Sequence, residues 1–353
     1  MKIAFYHRTV SGGIKTHVEA LSSEFEKLGH EVKRIDQFLL GSYMLGNSSG
    51  GISYGFDLSL RKIKREVEDC DLLHIHHAAT SSEFFLPFSS LCSELTIVNT
   101  FHIPAGNCLR GELAKALIAM LVSLYAGRSK RFISVSAEIA EYIRRYCYGY
   151  EDDKSDHGTE IVVIPNGVDI NRFHPAEKEE KASRNKDKSV CIGYLGRLSY
   201  EKNIINMIKA VRALDLDTIC LKIAGVGPLY AKVKKMEDER IKVLGYVEDA
   251  PSFYRSLDVF LLPSKLEAQP IALLEAMASG LPIIATDVGD NKYFVHGNGI
   301  ICDASVKEIG AAIKEMLQED WEKMGIESRR IVEREYTWDK IAARTLEVYK
   351  EVI

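Results

Sequence analysis

The sequence predicts an α/β protein made of two tandem domains, each with a parallel sheet covered by helices on both faces. Short apolar runs of strand length alternate with helical patterns along all 353 residues, and this alternation is typical of parallel sheets. A charged stretch at 176–188 interrupts the alternation and reads as an exposed linker, after which the pattern begins again. The ligand of such sheets is expected at the carboxyl ends of the strands.

The individual elements follow from the same pattern. In the first half, strands are predicted at 2–6, 31–35, 72–75, 95–98, 131–135 and 161–164. Helices are predicted there at 17–28, 58–68, 112–125 and 137–146. In the second half, strands are predicted at 190–195, 219–224, 241–244, 259–262, 283–285 and 299–301. The chain is longer than is usual for a single hydrophobic core and long enough for two domains. We place these domains at 1–170 and 171–335.

Composition narrows the functional classes. The net charge of −4 gives no electrostatic basis for a nucleic-acid partner. The seven cysteines are an odd, dispersed set without a CxxC pair, which indicates reduced thiols in the cytoplasm rather than disulfides or zinc ligands. The N-terminal MKIAFYHR reads as a short strand, not a signal peptide, and no apolar run is long enough to cross a bilayer.

Two carboxylates, Glu267 and Glu275, lie in the segment SKLEAQPIALLEAMASG at 264–280. Pro270 suits the first turn of a helix, and Gly280 suits the left-handed position just past its end. Glu267 is therefore predicted in the loop before the helix, and Glu275 within it among apolar neighbours. A buried carboxylate needs hydrogen-bond donors, which the adjacent hydroxyls of a ligand would supply. The alternative is a partly exposed glutamate on an alanine-rich helix.

Two cations, Arg197 and Lys202, follow the predicted strand 190–195 and the turn at Gly196. Cations beside a helix N-terminus are suited to a diphosphate, because the helix dipole and free N–H groups add to their charge. The alternative is that both side chains are simply solvated. The glycines at 225–228 are a weak dinucleotide signal, since their spacing and the proline do not fit the fingerprint.

Six motifs in order resemble those of the retaining, nucleotide-sugar-dependent glycosyltransferases of family 4, also called glycosyl transferases group 1. The motifs are SGGIKTHVEAL at 11–21, DLLHIH at 71–76, NTFH at 99–102, IPNGVD at 164–169, GRLSYEKN at 196–203 and the paired glutamates. The resemblance covers nearly the whole chain. It implies the GT-B fold, in which two Rossmann-like domains face each other across a cleft. The first domain would bind the acceptor and the second the nucleotide sugar, with the last helix, 336–353, packed back on the first.

The resemblance also implies roles on the donor side. Arg197 and Lys202 would stabilise the departing diphosphate, in the place of the divalent metal of other sugar transferases, so neither a metal nor a cofactor is expected. Glu275 would accept hydrogen bonds from the ribose hydroxyls. The backbone at Tyr246 and Val247 would meet the base of the nucleotide.

The donor sugar would be held by Glu267 together with the backbone amides of Ala268 and Gln269. The family usually has glycine where this chain has Ala268. If that backbone needed a positive φ angle, alanine would be a strained substitute.

On the acceptor side, His102 would lie near the donor sugar and position a hydroxyl. Gly12 and Gly13 would bring backbone N–H groups close to the phosphates or the acceptor without an intervening side chain. Members of this family keep the anomeric configuration, by same-face attack with a phosphate oxygen as base, so His102 is not expected to be a nucleophile.

Further histidines lie in two of the motifs. His74, His76 and His77 suggest a metal pair, because alternate strand residues share a face, but the sequence shows no third ligand. Acceptor-side lining or strand packing is therefore favoured over a metal. Lys15 and His17 are either acceptor contacts or ordinary helix-start residues.

The acceptor is a sugar, a small molecule or a lipid-linked molecule. The helix at 112–125 has a broad apolar face, with Arg110 before it and Arg128, Lys130 and Arg131 after it. This arrangement is compatible with peripheral contact to an anionic membrane. The alternative is a helix buried in the first domain with its basic ends in water.

Two other functional classes fit the same architecture. A nucleotide-sugar epimerase would carry a different set of acid/base carboxylates and histidines, which is not found. A non-catalytic sugar-binding or nucleotide-binding module would be expected to have lost at least one of Arg197, Lys202, Glu267 and Glu275.

Overall fold

The computed structural model describes residues 1–7, 12–36, 63–77, 95–102, 131–147, 160–177, 189–214, 216 and 218–353. The chain divides into two compact units. The first comprises Met1–Asn166 and Trp338–Ile353, and the second comprises Gly167–Thr337. The linker proposed from the sequence lies mostly outside the described residues.

Each unit contains a parallel sheet of six strands. The first sheet consists of β1 (Lys2–His7), β2 (Glu31–Asp36), β3 (Leu72–His77), β4 (Thr96–Phe101), β5 (Arg131–Ser134) and β6 (Glu160–Val163). The second consists of β7 (Val190–Leu195), β8 (Ile219–Ala224), β9 (Ile241–Gly245), β10 (Val259–Leu262), β11 (Ile283–Thr286) and β12 (Gly299–Cys302). The twelve predicted strands are confirmed within a few residues.

Ten α-helices have described bounds. They are α1 (Gly13–Lys27), α2 (Ala137–Cys147), α3 (Ile204–Ala213), α4 (Tyr230–Lys234), α5 (Ala250–Arg255), α6 (Ile271–Ala278), α7 (Asn291–Phe294), α8 (Val306–Met316), α9 (Trp321–Glu335) and α10 (Trp338–Val352). Residues 63–67 are also helical. The first helix begins earlier than the predicted residue 17, because the chain already turns into it at Gly12, its N-cap.

The strands of the first unit run in the order β2-β1-β3-β4-β5-β6. In β3 all six positions are buried, and in β1 five of six. Parallel strands buried on both faces read as continuous apolar runs rather than alternating ones, and this is why the sequence pattern identified them. The chain extends to β2 on one side of β1 and then to β3 on the other.

The last helix belongs to the first unit. Trp338, Ile341 and Tyr349 of α10 are buried in one apolar cluster with Phe5 of β1 and Phe25 of α1. Its polar face is left to solvent, as expected for an amphipathic helix on a core.

The strands of the second unit run in the order β12-β11-β10-β7-β8-β9. From β7 the chain extends through β8 to β9, and then returns to β10 on the other side of β7. The strand order therefore reverses between β7 and β10, which pair in parallel. Open α/β sheets bind ligands at the carboxyl ends of strands flanking such a reversal.

Two of the dispersed cysteines meet in this sheet. Cys191 of β7 and Cys220 of β8 are register partners, and their Sγ atoms lie 2.9 Å apart. Both are free thiols. Their separation in sequence hid this contact, because only strand pairing creates it.

Candidate active site

The loops with the predicted diphosphate and sugar contacts leave the second sheet side by side. Gly196 and Arg197 directly follow β7, and the loop with Glu267 follows β10. Because these strands are adjacent and parallel, both loops emerge at the same edge of the sheet. The reversal of strand order thus brings together two motifs that are far apart in sequence.

Arg197 is exposed on a loop that a second loop supports. Its carbonyl oxygen accepts a hydrogen bond from the Tyr194 hydroxyl at 3.1 Å. A Cβ atom on Gly225 would lie 1.8 Å from the carbonyl oxygen of Gly196, so only glycine permits this close approach of the two loops. The weak dinucleotide signal at 225–228 is therefore explained by packing against the Arg197 loop.

Lys202 and Glu267 form a direct ion pair. The Lys202 ammonium donates to Glu267 Oε1 at 2.6 Å, and the Ser264 hydroxyl donates to the same oxygen at 2.6 Å. The Glu267 side chain is only 6% exposed and that of Lys202 is 23% exposed. A buried carboxylate with these partners is held in one orientation, because removing either donor would leave its charge poorly compensated.

Asn203 is a structural residue of this site that the sequence analysis missed. It has a left-handed backbone with a φ angle of 58° and ends a short 3₁₀ turn that carries Lys202. Its buried side-chain amide donates to the carbonyl oxygens of Pro263 and Ala304, at 3.0 and 2.8 Å. Asn203 therefore ties the Lys202 turn to the loop of Glu267. Asparagine tolerates the left-handed conformation better than most residues, which was the available signal.

Glu275 lies within α6, as predicted, where the residue is partly rather than fully buried, and it is held by a tyrosine. The Tyr254 hydroxyl donates to Glu275 Oε2 at 2.8 Å. Burial raises the pKa of Glu275 to about 7, while the hydrogen bond from Tyr254 and the charge of Arg172 oppose that rise. Gly280 closes the helix with a φ angle of 71°, also as predicted. Pro270 stands at the N-cap, one residue before the first helical residue.

The backbone at Ala268 is not strained. Among the described residues, Asn203 is the one non-glycine residue with a positive φ angle, so alanine meets no penalty at 268. The glycine with a positive φ angle next to this loop is Gly289, whose φ angle is 55° and which packs against the backbone of Glu267 and Ala268. A Cβ atom there would lie 2.5 Å from the carbonyl oxygen of Glu267. Gln269, the next proposed sugar contact, is buried.

The proposed base contact lies just after β9. Tyr246 is 76% exposed, and Val247 packs partly against the core of the second unit. An exposed aromatic ring beside an anchored backbone is compatible with a planar base as ligand.

The predicted acceptor residues lie in the first unit. Gly12 and Gly13 are exposed at the N-terminus of α1. His102, directly after β4, is buried, and its Nε2 lies 3.0 Å from Nδ1 of His76 in β3. His17 of α1 is buried against both rings, with centroid distances of 5.3 Å to His76 and 4.8 Å to His102. His17 is therefore part of a histidine cluster.

Lys15 behaves as an ordinary helix residue, because it pairs with Glu19 one turn later at 3.6 Å. The two ring nitrogens of His74 form hydrogen bonds within the first unit, one with the Tyr349 hydroxyl and one with the Thr100 hydroxyl.

Burial keeps this cluster uncharged. It lowers the pKa of His17 to about 4, against a smaller opposing effect of the bond to Asn166. It also holds the pKa of His76 and of His102 well below the usual range, and neighbouring histidines add to that effect. The rings are therefore neutral imidazoles at pH 7, able to donate or accept hydrogen bonds but not to act as cations.

The basic cluster proposed for membrane contact is only partly described. The helix at 112–125 with Arg110, Arg128 and Lys130 lies outside the described residues. Arg131 forms ion pairs with Glu160 at 2.7 Å and Glu351 at 3.0 Å, so it is not a free cation for head groups. Within the described part of the chain, none of the helices is both long and apolar enough to span a bilayer.

Comparison with protein families identifies both halves of the chain. The family model "Glycosyltransferase Family 4" matches residues 11–172, and the model "Glycosyl transferases group 1" matches residues 189–319. The UDP-Gal:alpha-D-GlcNAc-diphosphoundecaprenol alpha-1,3-galactosyltransferase of Escherichia coli is 28% identical over 67% of this chain and 63% of its own length. The phosphatidyl-myo-inositol mannosyltransferase of Mycolicibacterium smegmatis is 25% identical over 98% of this chain and 92% of its own.

Solved structures with this fold include two that cover nearly the whole chain. Sucrose-phosphate synthase from Thermosynechococcus elongatus has a TM-score of 0.80 at 17% identity, over 99% of this chain and 98% of that one. Anabaena HepE in complex with UDP-glucose has a TM-score of 0.79 at 17% identity, over 99% and 100%. The two parallel sheets, the matched motifs and these similarities lead to one conclusion: the chain belongs to the family 4 glycosyltransferases, the glycosyl transferases group 1, and has their GT-B fold.

Proposed function

We propose that this glycosyltransferase moves a hexosyl group from a nucleoside diphosphate sugar to an acceptor hydroxyl, with retention of the anomeric configuration and without a metal at the diphosphate. The observation that carries the proposal is the Lys202–Glu267 ion pair beside the exposed Arg197, at the carboxyl ends of β7 and β10. Arg197 and Lys202 offer two cations for a diphosphate, and Glu267 offers a fixed carboxylate for sugar hydroxyls, at the same edge of the sheet.

The chemical step breaks the bond between the anomeric carbon and the diphosphate oxygen. Negative charge then grows on the departing diphosphate and positive charge on the sugar. Arg197 and Lys202 stabilise the diphosphate, and preorganised charges of this kind are among the largest single contributions to catalysis. Lys202 is preorganised because Glu267 holds its ammonium at 2.6 Å.

Glu275 binds the nucleoside. Its Oε2 accepts from Tyr254, and its remaining lone pairs accept from the two ribose hydroxyls. The base lies against the backbone at Tyr246 and Val247. The pKa of Glu275 is raised to about 7. Hydrogen bonds from a bound ribose would favour the ionised form of this carboxyl group.

The donor sugar is held by Glu267 and by the amides of Ala268 and Gln269. His102 positions a hydroxyl, and the Gly12 turn serves the phosphates or the acceptor. The acceptor hydroxyl attacks from the face that the diphosphate leaves, and a diphosphate oxygen takes its proton. No side-chain nucleophile is required in this scheme.

The donor and acceptor classes are supported by what related proteins are named for. The galactosyltransferase and the mannosyltransferase named above act, by name, on a diphosphoundecaprenol-linked sugar and a phosphatidyl-myo-inositol. We assign a lipid-linked acceptor to this enzyme, reached by peripheral contact with the cytoplasmic face of a membrane. Flotation with anionic vesicles at low salt tests that contact, and a protein that stays in the soluble fraction would favour a soluble sugar acceptor.

The leaving-group role is tested by Arg197→Ala and Lys202→Ala. Each should lower turnover by about two to three orders of magnitude at saturating donor, the usual loss on removing one preorganised charge donor. Lys265→Ala is the matched control, because Lys265 is an exposed lysine two residues from Glu267. Turnover above half of the wild-type value in either variant would contradict the proposal. Release of nucleoside diphosphate that depends on the acceptor separates transfer from epimerisation and from mere binding.

A further inference from the structure

Three histidines from separate sequence motifs converge in the first unit. His17 comes from α1, His76 from β3, and His102 from the residue after β4. One ligand nitrogen from each lies within 4.8 Å of those of the other two. No third ligand for the histidines of β3 could be identified from the sequence, whereas the tertiary structure brings His17 and His102 to His76.

The distances are close to those of a metal site. Ring nitrogens that bind one tetrahedral Zn²⁺ at 2.0–2.1 Å are about 3.3 Å apart. His76 Nδ1 and His102 Nε2 are 3.0 Å apart, so this pair needs almost no movement. The largest separation is 4.8 Å, so the third nitrogen must approach by about 1.5 Å, through a shift of the His17 side chain.

His17 already has the outer partner that metal-bound histidines use. Its Nδ1–H donates to Asn166 Oδ1 at 2.8 Å. This bond orients the ring and leaves the lone pair on Nε2, the usual arrangement for a histidine ligand. His74 is excluded as a ligand, because Tyr349 and Thr100 occupy both of its nitrogens.

The cluster also has a hydrogen-bonding group that the described residues leave unused. His76 is fully buried, and its Nε2 has no hydrogen-bond partner among them. A buried polar atom without a partner is unfavourable by about 1–3 kcal/mol. Zinc on Nδ1 of His76 would place the hydrogen on Nε2, which has no acceptor among the described residues, so the ion neither relieves nor adds to this cost.

We propose that His17, His76 and His102 form a binding site for one Zn²⁺ ion. Imidazole nitrogens suit zinc, and three protein ligands leave its fourth position open for water, hydroxide or a ligand hydroxyl. The three ligands are neutral, so the ion keeps its two positive charges and favours an anionic fourth ligand. The three ligands belong to the first unit, whereas Arg197, Lys202 and Glu267 belong to the second.

Zinc at this site inhibits transfer. This consequence rests on the proposed function, because His102 would then bind the ion instead of positioning a substrate hydroxyl. Zinc binding itself does not depend on that assignment and is measured without donor or acceptor.

The binding experiment uses the full chain without a polyhistidine tag, stripped with EDTA and dialysed. Calorimetric titration with Zn²⁺ should show one ion per chain, and Co²⁺ should give the intense visible bands of a tetrahedral nitrogen site. His76→Asn and His17→Gln should each weaken Zn²⁺ binding by about a hundredfold or more, and Asn166→Ala by about 10- to 100-fold. His296→Gln, which removes an exposed histidine, is the control and should bind as the wild type does.

Either of two results would overturn the site: no one-to-one binding by the wild type, or binding by the His76 variant as tight as that of the control. If His76→Asn does not fold, as judged by circular dichroism and melting, His17→Gln and Asn166→Ala decide the question. Turnover is then measured with added Zn²⁺ and again after EDTA. Binding without inhibition would support the metal site and count against the role of His102 in transfer. If the zinc-free wild type shows no transfer at all, that result concerns the proposed function and not the metal site.

Discussion

Glu275→Gln tests how burial and ligand binding oppose each other at one carboxylate. Burial raises the pKa of Glu275 from 4.5 to about 7. The folded protein therefore holds this proton more tightly than the unfolded chain does. That contribution to stability is fully present below pH 4.5 and is lost as the pH rises through about 7.

The magnitude follows from the two pKa values. At 1.36 kcal/mol per pKa unit, the gap corresponds to about 3 kcal/mol over the full range. Between pH 5 and pH 8 the linkage relation yields about 2.5 kcal/mol. Glutamine cannot ionise, and its side-chain oxygen can still accept from Tyr254. The stability of the variant relative to wild type should therefore rise by about 2.5 kcal/mol between these two pH values, whatever constant difference the amide introduces.

Urea unfolding at pH 5 and pH 8, followed by fluorescence and circular dichroism, measures this double difference. Glu239→Gln removes an exposed carboxylate from the same unit and controls for loss of charge without burial. Calorimetry with a nucleoside diphosphate should show binding weakened by about 1–3 kcal/mol, the scale of hydrogen bonds to a charged acceptor. A relative stability that is the same at both pH values would refute the burial argument, and unchanged nucleotide affinity would refute the ribose contact.

Three further outcomes are expected. Gly289→Ala should destabilise the second unit by at least about 1 kcal/mol and raise the KM for the donor, because the new Cβ would collide with the Glu267 carbonyl; normal KM and melting temperature would show that the loop adjusts freely. Asn203→Ala should lower the melting temperature by several degrees, because it removes the bonds to Pro263 and Ala304. Asn203→Gly keeps the left-handed backbone but removes the same bonds, so a thermal melt should show that it is destabilised as well. Activity should survive EDTA, since side chains supply the charge opposite the diphosphate, and loss on chelation that magnesium restores would overturn the metal-independent scheme.

The sequence by itself determined the two parallel sheets and the local setting of several site residues. Strands buried on both faces are continuous apolar runs, and helix ends carry their own signals. For these reasons Glu267 could be placed in a loop, Glu275 in a helix and Gly280 just past its end. Arg197 could be placed after a strand for the same reason. Each of these inferences depends on neighbours along the chain.

Only the tertiary structure decided which distant side chains touch. The Lys202–Glu267 pair exists because the strand order reverses between β7 and β10, which no local pattern encodes. The third ligand for the β3 histidines depends likewise on α1 and β4 packing at one end of the first sheet, and the Cys191–Cys220 contact depends on strand register. The burial that raises the pKa of Glu275, like the ordinary backbone at Ala268, is also set by packing. Sequence patterns report local conformation and amphipathicity, whereas contacts between distant residues depend on topology, register and side-chain direction.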